Sequence, residues 1–160
     1  MAKAAKAVPD GYHTITPQLM LDNAAQTIDW YKKALGAEEV SRSVGPDGKI
    51  MHAELKIGNS RFMMNDVMHG GKGPQAFGGS PASLWLFVEN SDALFNRAVS
   101  AGAKVQMPLD NQFWGDRAGA VADPAGYTWW IATRKEDLTQ AEMQQRAAEF
   151  FKQMAQPTSR

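Results

Sequence analysis

Ile15–Val40, ITPQLMLDNAAQTIDWYKKALGAEEV, decides the fold, because its pattern returns at Ser83–Val105, SLWLFVENSDALFNRAVSAGAKV. Each copy reads as a short apolar strand, a polar pair (Asp22-Asn23 or Glu89-Asn90), an amphipathic helix, and a glycine followed by a new strand. Asp22 or Asn23 caps the first helix, whose Ala24, Ile28, Tyr31 and Leu35 share a face, and Gly36 supplies a left-handed C-cap. Two copies of one unit predict a single domain built from two similar halves around a shared cleft.

Outward from these copies the pattern changes to strands. In Tyr12–Leu21, Ile15, Pro17, Leu19 and Leu21 alternate with Thr14, Thr16, Gln18 and Met20, a half-buried strand with one polar face. Pro17 cannot donate to a ladder, so this strand exposes an edge there. Strands follow near Glu38–Val44, Lys49–Ile57 and Arg61–Asn65, separated by Gly45-Pro46-Asp47-Gly48 and Gly58-Asn59 turns. The second copy continues with a helix at Ser91–Ala101 and strands near Lys104–Pro108, Ala118–Ala122 and Tyr127–Thr133, the last two joined by Asp123-Pro124-Ala125-Gly126. Between the halves, residues 66–81 carry Gly70, Gly71, Gly73, Gly78 and Gly79, without periodicity, and read as a linker or a mobile flap. Their GGKG lacks the strand, helix and hydroxyl that a phosphate-binding loop needs. Thr139-Gln140-Ala141-Glu142 is a capping box. It opens a terminal helix with an apolar stripe of Met143, Ala147, Phe150, Phe151 and Met154, suited to packing on this domain or on a sister subunit.

The expected organisation is thus a flexible tail at 1–11, modules at 12–66 and 82–135 joined by a linker at 67–81, and a C-terminal helix and tail at 136–160. Composition narrows the function. The chain has 160 residues, 44% hydrophobic and 21% charged, with a formal net charge of zero. No global field favours nucleic acid or an anionic membrane, and no apolar run is long enough to span a bilayer. With 0 cysteines there is no disulfide, thiolate nucleophile or cysteine metal site. The N-terminus lacks the apolar run of a signal peptide, so the expected location is cytoplasmic.

The repeated strand–helix–three-strand unit resembles the vicinal oxygen chelate superfamily, the glyoxalase, bleomycin-resistance and extradiol-dioxygenase group, and more closely its PhnB-like branch. The segments that carry the likeness are Gly11–Pro17, Ile28–Lys32, Gly45–Glu54, Gln112-Phe113-Trp114-Gly115-Asp116-Arg117 and the Asp123–Gly126 turn. The resemblance implies an α+β fold of two βαβββ modules, each rolling its sheet into a half-barrel cup, with a homodimer common. It also implies a divalent metal held on the cup's inner face by His, Glu or Gln. The corresponding positions here are Thr16, Ser83, Trp130 and either Met63 or Met64. None offers the carboxylate or imidazole that such ions want, so no metal or other cofactor is expected at the family's site.

His52 and Glu54 are two apart on one strand and share its polar face. With His69 of the loop they are an alternative set for a divalent metal such as Zn, or, without metal, a catalytic acid–base pair. His13, the third histidine, lies on the opposite parity from Thr16. The bland reading of His52 and Glu54 is a hydrogen-bonded polar wall.

The inner face also collects Trp85, Phe87 and Trp130 with Met20 and Met63, and Phe113-Trp114 sits on a loop able to cover them. Such a lining stacks a flat ligand, with Gln18, His52 and Glu54 to orient it; equally, aromatics fill a strand core. Asp116 and Arg117 read first as an ion pair locking their loop, and second as a clamp for a substrate carboxylate. The leading expectation is a small-molecule binder of the glyoxalase/bleomycin-resistance kind with an aromatic-lined cup. The rivals are a divergent lyase or isomerase using His52 and Glu54, and a structural dimer whose cup is filled.

Overall fold

The computed structural model describes residues 6–155, so the outer parts of the expected tails, 1–5 and 156–160, lie outside it. The first module runs β1 (Gln18–Leu21), α1 (Ala24–Leu35), β2 (Glu38–Val44), β3 (Ile50–Ile57) and β4 (Ser60–Asp66). The second runs β5 (Ser83–Phe87), α2 (Ser91–Ser100), β6 (Lys104–Asn111), β7 (Asp116–Ala122) and β8 (Thr128–Arg134), and α3 (Gln140–Ala155) ends it. Each module forms one four-stranded sheet, ordered β1-β4-β3-β2 and β5-β8-β7-β6. β1 lies parallel to β4 and β5 to β8, and the remaining pairs are antiparallel. The doubled βαβββ architecture expected from the repeat is what the chain adopts.

The two helices start by the same device. The Asn23 side chain accepts from the Gln26 N–H in α1, and Asn90 accepts from Ala93 in α2. Each helix's first N–H is also taken by a side chain at the end of its module's last strand: Ala24 donates to Asp66 at 2.8 Å and Ser91 to Thr133 at 2.8 Å. These bonds satisfy donors that a helix start leaves without partners. Gly36, at φ 69, closes α1 with its N–H on the Tyr31 carbonyl, as expected of a left-handed cap. The Arg97 guanidinium of α2 then binds the Lys33 and Lys32 carbonyls, placing positive charge at the negative end of α1.

The core joins both modules. Tyr31, Phe62 and Trp129 meet edge to face, with ring centroids 5.4–5.7 Å apart. Trp30 of α1 donates to the Ala101 carbonyl at 2.9 Å. Asp123, in the turn before β8, accepts from the Tyr31 hydroxyl at 2.6 Å, Trp129 Nε1 at 2.8 Å, and the Ala125 and Tyr127 N–H groups at 2.9 Å. Burial pushes the Asp123 carboxyl above its ordinary range, against these donors, and burial followed by Asp123's charge pushes Tyr31 well above its own.

Four local expectations change. The first strand begins at Gln18, not Tyr12: Pro17 contributes only its carbonyl, to the Met63 N–H, and the chain before it leaves the sheet. β6 continues past Pro108 to Asn111, because irregularities between Val105 and Asp110 absorb the missing donor. The glycine-rich connection contains a 3-10 turn at Pro74–Phe77, and Gln75 binds the Pro124 carbonyl, so its middle rests on the second module. The terminal helix forms, with Thr139 and Glu142 bonding reciprocally, but none of its own residues is buried.

Candidate functional site

The inner face of the second sheet is fixed by register. Trp85 lies opposite Trp130, which lies opposite Ala120, and Phe87, Ala132 and Ala118 form the next row. Asp116 faces Arg134 one row further on. Alternation along each strand therefore turns Trp85, Phe87, Trp130, Ala118, Ala120, Ala132 and Asp116 to one side. The three alanines are buried and stand apart from the hydrophobic core on the helix side. Their small side chains leave room for rings above them.

Those rings form a wall. Trp85 and Trp130 stack with centroids 4.7 Å apart and planes within 3°. Phe87 continues the layer at 5.9 Å and 23° from Trp85. Trp114 meets both tryptophans edge-on, at 6.5 and 6.3 Å. The Gln112–Asp116 turn carries it there: Gln112 N–H binds the Asp116 carbonyl, and Gly115 takes φ 92. A Cβ at Gly115 would come within 2.9 Å of the Glu136 carbonyl oxygen, so glycine is needed there. Trp114 Nε1 donates to Asp116 Oδ2 at 3.0 Å. Trp85, Phe87, Trp114 and Asp116 line a shallow, open hollow of about 450 Å3, with Trp85 41% and Phe87 61% exposed. A second cavity, about 540 Å3, runs along β5 between His13–Pro17, the Gly58–Arg61 turn and the same two rings.

The remaining predicted residues lie elsewhere. Phe113 stands edge-on to Trp114 at 5.1 Å and joins the wall to α3, 5.1 Å from Phe150 and 6.3 Å from Phe151. Gln18, Met20, His52, Glu54 and Met63 line the inner face of the first sheet, not the sheet that carries the tryptophans. The ambiguity between Met63 and Met64 resolves to Met63, which lies opposite Gln18 and Glu54, while Met64 is in the core. Gln18 binds Asn65 at 2.8 Å.

Glu54 is held by the Tyr12 hydroxyl and the Arg61 guanidinium, and no hydrogen bond joins it to His52. Burial pushes its carboxyl up, but the hydrogen bonds from Tyr12 and Arg61, with the Arg61 charge, outweigh burial and hold it below the ordinary glutamate range. A depressed carboxyl with both oxygens engaged is a poor general base. The Asp116–Arg117 ion pair is also corrected: Arg117 grips Asp92 of α2 through two bonds, at 2.7 and 2.6 Å, and Asp116 serves Trp114. Adjacent residues on a strand point to opposite faces, which sends these two side chains apart. Asp92, in the first turn of α2, was the partner that spacing alone did not reveal. Tyr12 and Arg61 were likewise missed, because they reach Glu54 from a loop and a neighbouring strand.

The metal implied by the resemblance does not fit the residues present. Of the positions the resemblance assigns to ligands, Thr16 precedes β1, Ser83 faces Thr128, Met63 faces Gln18 and Trp130 faces Trp85, and none carries a carboxylate or imidazole. Among the described residues, no three His, Cys, Asp or Glu side chains gather as a possible metal site. No helix among them is long and apolar enough to cross a membrane.

Comparison with known proteins agrees with the fold. An uncharacterized protein of Mycobacterium bovis is 44% identical over 135 residues, covering 81% of this chain and 89% of its own. The crystal structure of protein PA1353 from Pseudomonas aeruginosa superposes with a TM-score of 0.63 at 27% identity, covering 78% of this chain and 99% of that one. A PhnB protein from Bacillus cereus, described as a putative 3-demethylubiquinone-9 3-methyltransferase, matches with a TM-score of 0.59 at 21% identity, over 76% and 99% of the two chains. The family model for the Glyoxalase/Bleomycin resistance protein/Dioxygenase superfamily matches residues 12–131. With its doubled βαβββ fold and that match over most of its length, this chain belongs to the Glyoxalase/Bleomycin resistance protein/Dioxygenase superfamily.

Proposed function

We propose that this protein binds a small, flat, largely apolar molecule against the inner face of its second module. The observation that carries the reading is the parallel Trp85–Trp130 stack, extended by Phe87, crossed by Trp114, and left open above Trp85 and Phe87. Stacked rings in a filled core are closed over by other side chains; here the outer rings face a cavity large enough for a fused-ring ligand. A planar guest gains contact area and ring–ring attraction of about 0.5–1.5 kcal/mol per pair beyond burial. Catalysis by His52 and Glu54 is not favoured, because Glu54 is already engaged by Tyr12 and Arg61.

We extend the proposal to a homodimer. Phe151 and Met154 of α3 are more than half exposed, and no residue of α3 is buried, leaving an apolar stripe of the kind that marks association. The partners of the monomer are then a small ligand and a second copy, with no nucleic acid or membrane, in the cytoplasm.

Intrinsic tryptophan fluorescence titrated with fused-ring aromatics such as acridine tests the binding. Saturable quenching that weakens about tenfold or more in Trp85→Ala supports stacking. Equal affinity in wild type and Trp85→Ala, or loss in His52→Ala with Glu54→Gln instead, overturns it.

A further inference from the structure

Asp116 is the one feature of the aromatic face that stacking does not explain. Its side chain is buried, with only 6% of the residue exposed. Oδ2 accepts from Trp114 Nε1, but Oδ1 is enclosed and has no hydrogen-bond partner. Among the described residues no Lys, Arg or His nitrogen lies within 4.0 Å of it. The basic groups nearby are committed elsewhere. Arg134, opposite Asp116 in register, pairs with Asp137 at 2.7 Å, and Arg117 is held by Asp92. Lys135 lines the adjoining polar cavity with Asp116 but is itself exposed to solvent.

Carboxylates are rarely buried without a paired charge, and an unsatisfied charged acceptor is costly. Asp116 also lines the same cavity as Trp85, Phe87 and Trp114, on the same face of the sheet. Resting on the stacking reading above, we infer that Asp116 is a ligand-binding residue and that the ligand is an aromatic cation. Its ring lies along Trp85 and Phe87, and a protonated amine or amidine N–H donates to Asp116 Oδ1, which a small shift of the covering side chains exposes. The edge-on Trp114 is fixed by the other carboxylate oxygen, so one side chain both positions the wall and receives the ligand's charge. A cation there also gains from the faces of the neighbouring rings. A ligand carboxylate, the alternative offered by Arg117, would meet a guanidinium already doubly bonded to Asp92.

Three ligands with one ring system test this by isothermal titration calorimetry near neutral pH: 9-aminoacridine (cationic), acridine (neutral) and acridine-9-carboxylate (anionic). Wild type should bind the cation about 10- to 100-fold tighter than the anion, as a hydrogen bond to a charged group implies, with acridine between. Asp116→Asn keeps an acceptor for Trp114 and should bring the cation down to the affinity that acridine shows for the same variant. Equal affinities or an anion preference in wild type overturn the inference without any variant, so it stands or falls even if Asp116→Asn does not fold. A cation preference that survives in folded Asp116→Asn also overturns it. Binding of all three rings without charge order leaves the stacking proposal intact and removes Asp116 from it, whereas binding of none refutes both.

Discussion

Replacing Tyr31 by phenylalanine tests how the two modules are held together. The ring would keep its edge contacts with Trp30, Phe62 and Trp129, so no cavity opens and only the hydroxyl is lost. That hydroxyl spans from α1 to the Asp123 carboxylate at 2.6 Å, across the junction of the modules, and both groups are buried. A hydrogen bond to a charged group contributes about 1.5–3 kcal/mol, so Tyr31→Phe should lower unfolding free energy by about that amount near pH 7. The melting temperature should fall by about 2–4 °C per kcal/mol for a domain of this size.

The loss should also depend on pH. The folded Asp123 carboxyl sits above its ordinary value of 3.8, so the native state holds this proton more tightly than the unfolded chain. Ionisation therefore subtracts stability as pH rises from 3.8 through the raised folded value. Tyr31 is among the donors that limit this rise; without it the carboxyl moves higher and the penalty grows with pH. Urea unfolding followed by tryptophan fluorescence, at about pH 4 and about pH 7, measures both effects. A loss below about 0.5 kcal/mol near pH 7, or an equal loss at the two pH values, would refute a charge-assisted tie between the modules.

Glu54 should show the opposite pH sign. Its folded carboxyl lies below the ordinary 4.5, so its bonds to Tyr12 and Arg61 add stability above 4.5 that is lost as pH falls through the folded value. Glu54→Gln should cost about 1 kcal/mol near pH 7, discounted for the solvent that reaches Arg61, and should flatten the acid limb of stability against pH. An acid limb unchanged in slope would show that this network contributes nothing. Sedimentation equilibrium should find a dimer that Phe151→Asp with Met154→Asp weakens at least tenfold; a wild-type monomer at micromolar concentration would rule the dimer out.

Much of this architecture was legible in the chain, because strand and helix periodicities are local. The two helices of the repeat, the Asn23 and Asn90 caps, Gly36 and the Asp123–Gly126 turn each depend on a few neighbouring residues, and all fall where expected. Alternation also put Trp85 and Phe87 on one face, and His52 and Glu54 on one face. Alternation cannot say which sheet lies beside which. Only the tertiary structure separated the tryptophan wall of the second module from Gln18, Met20, His52, Glu54 and Met63 of the first. Partner choice was equally hidden: Arg117 is adjacent to Asp116 but bonds Asp92, and Glu54 is taken by Tyr12 and Arg61 rather than by His52. Side-chain partners are chosen by distance in space after packing, and sequence separation constrains that distance only within a turn or along one strand. The sequence by itself thus determined the doubled βαβββ fold and the supply of aromatic rings. The packed sheets decided which rings meet, and left one carboxylate oxygen of Asp116 buried beside them without a partner.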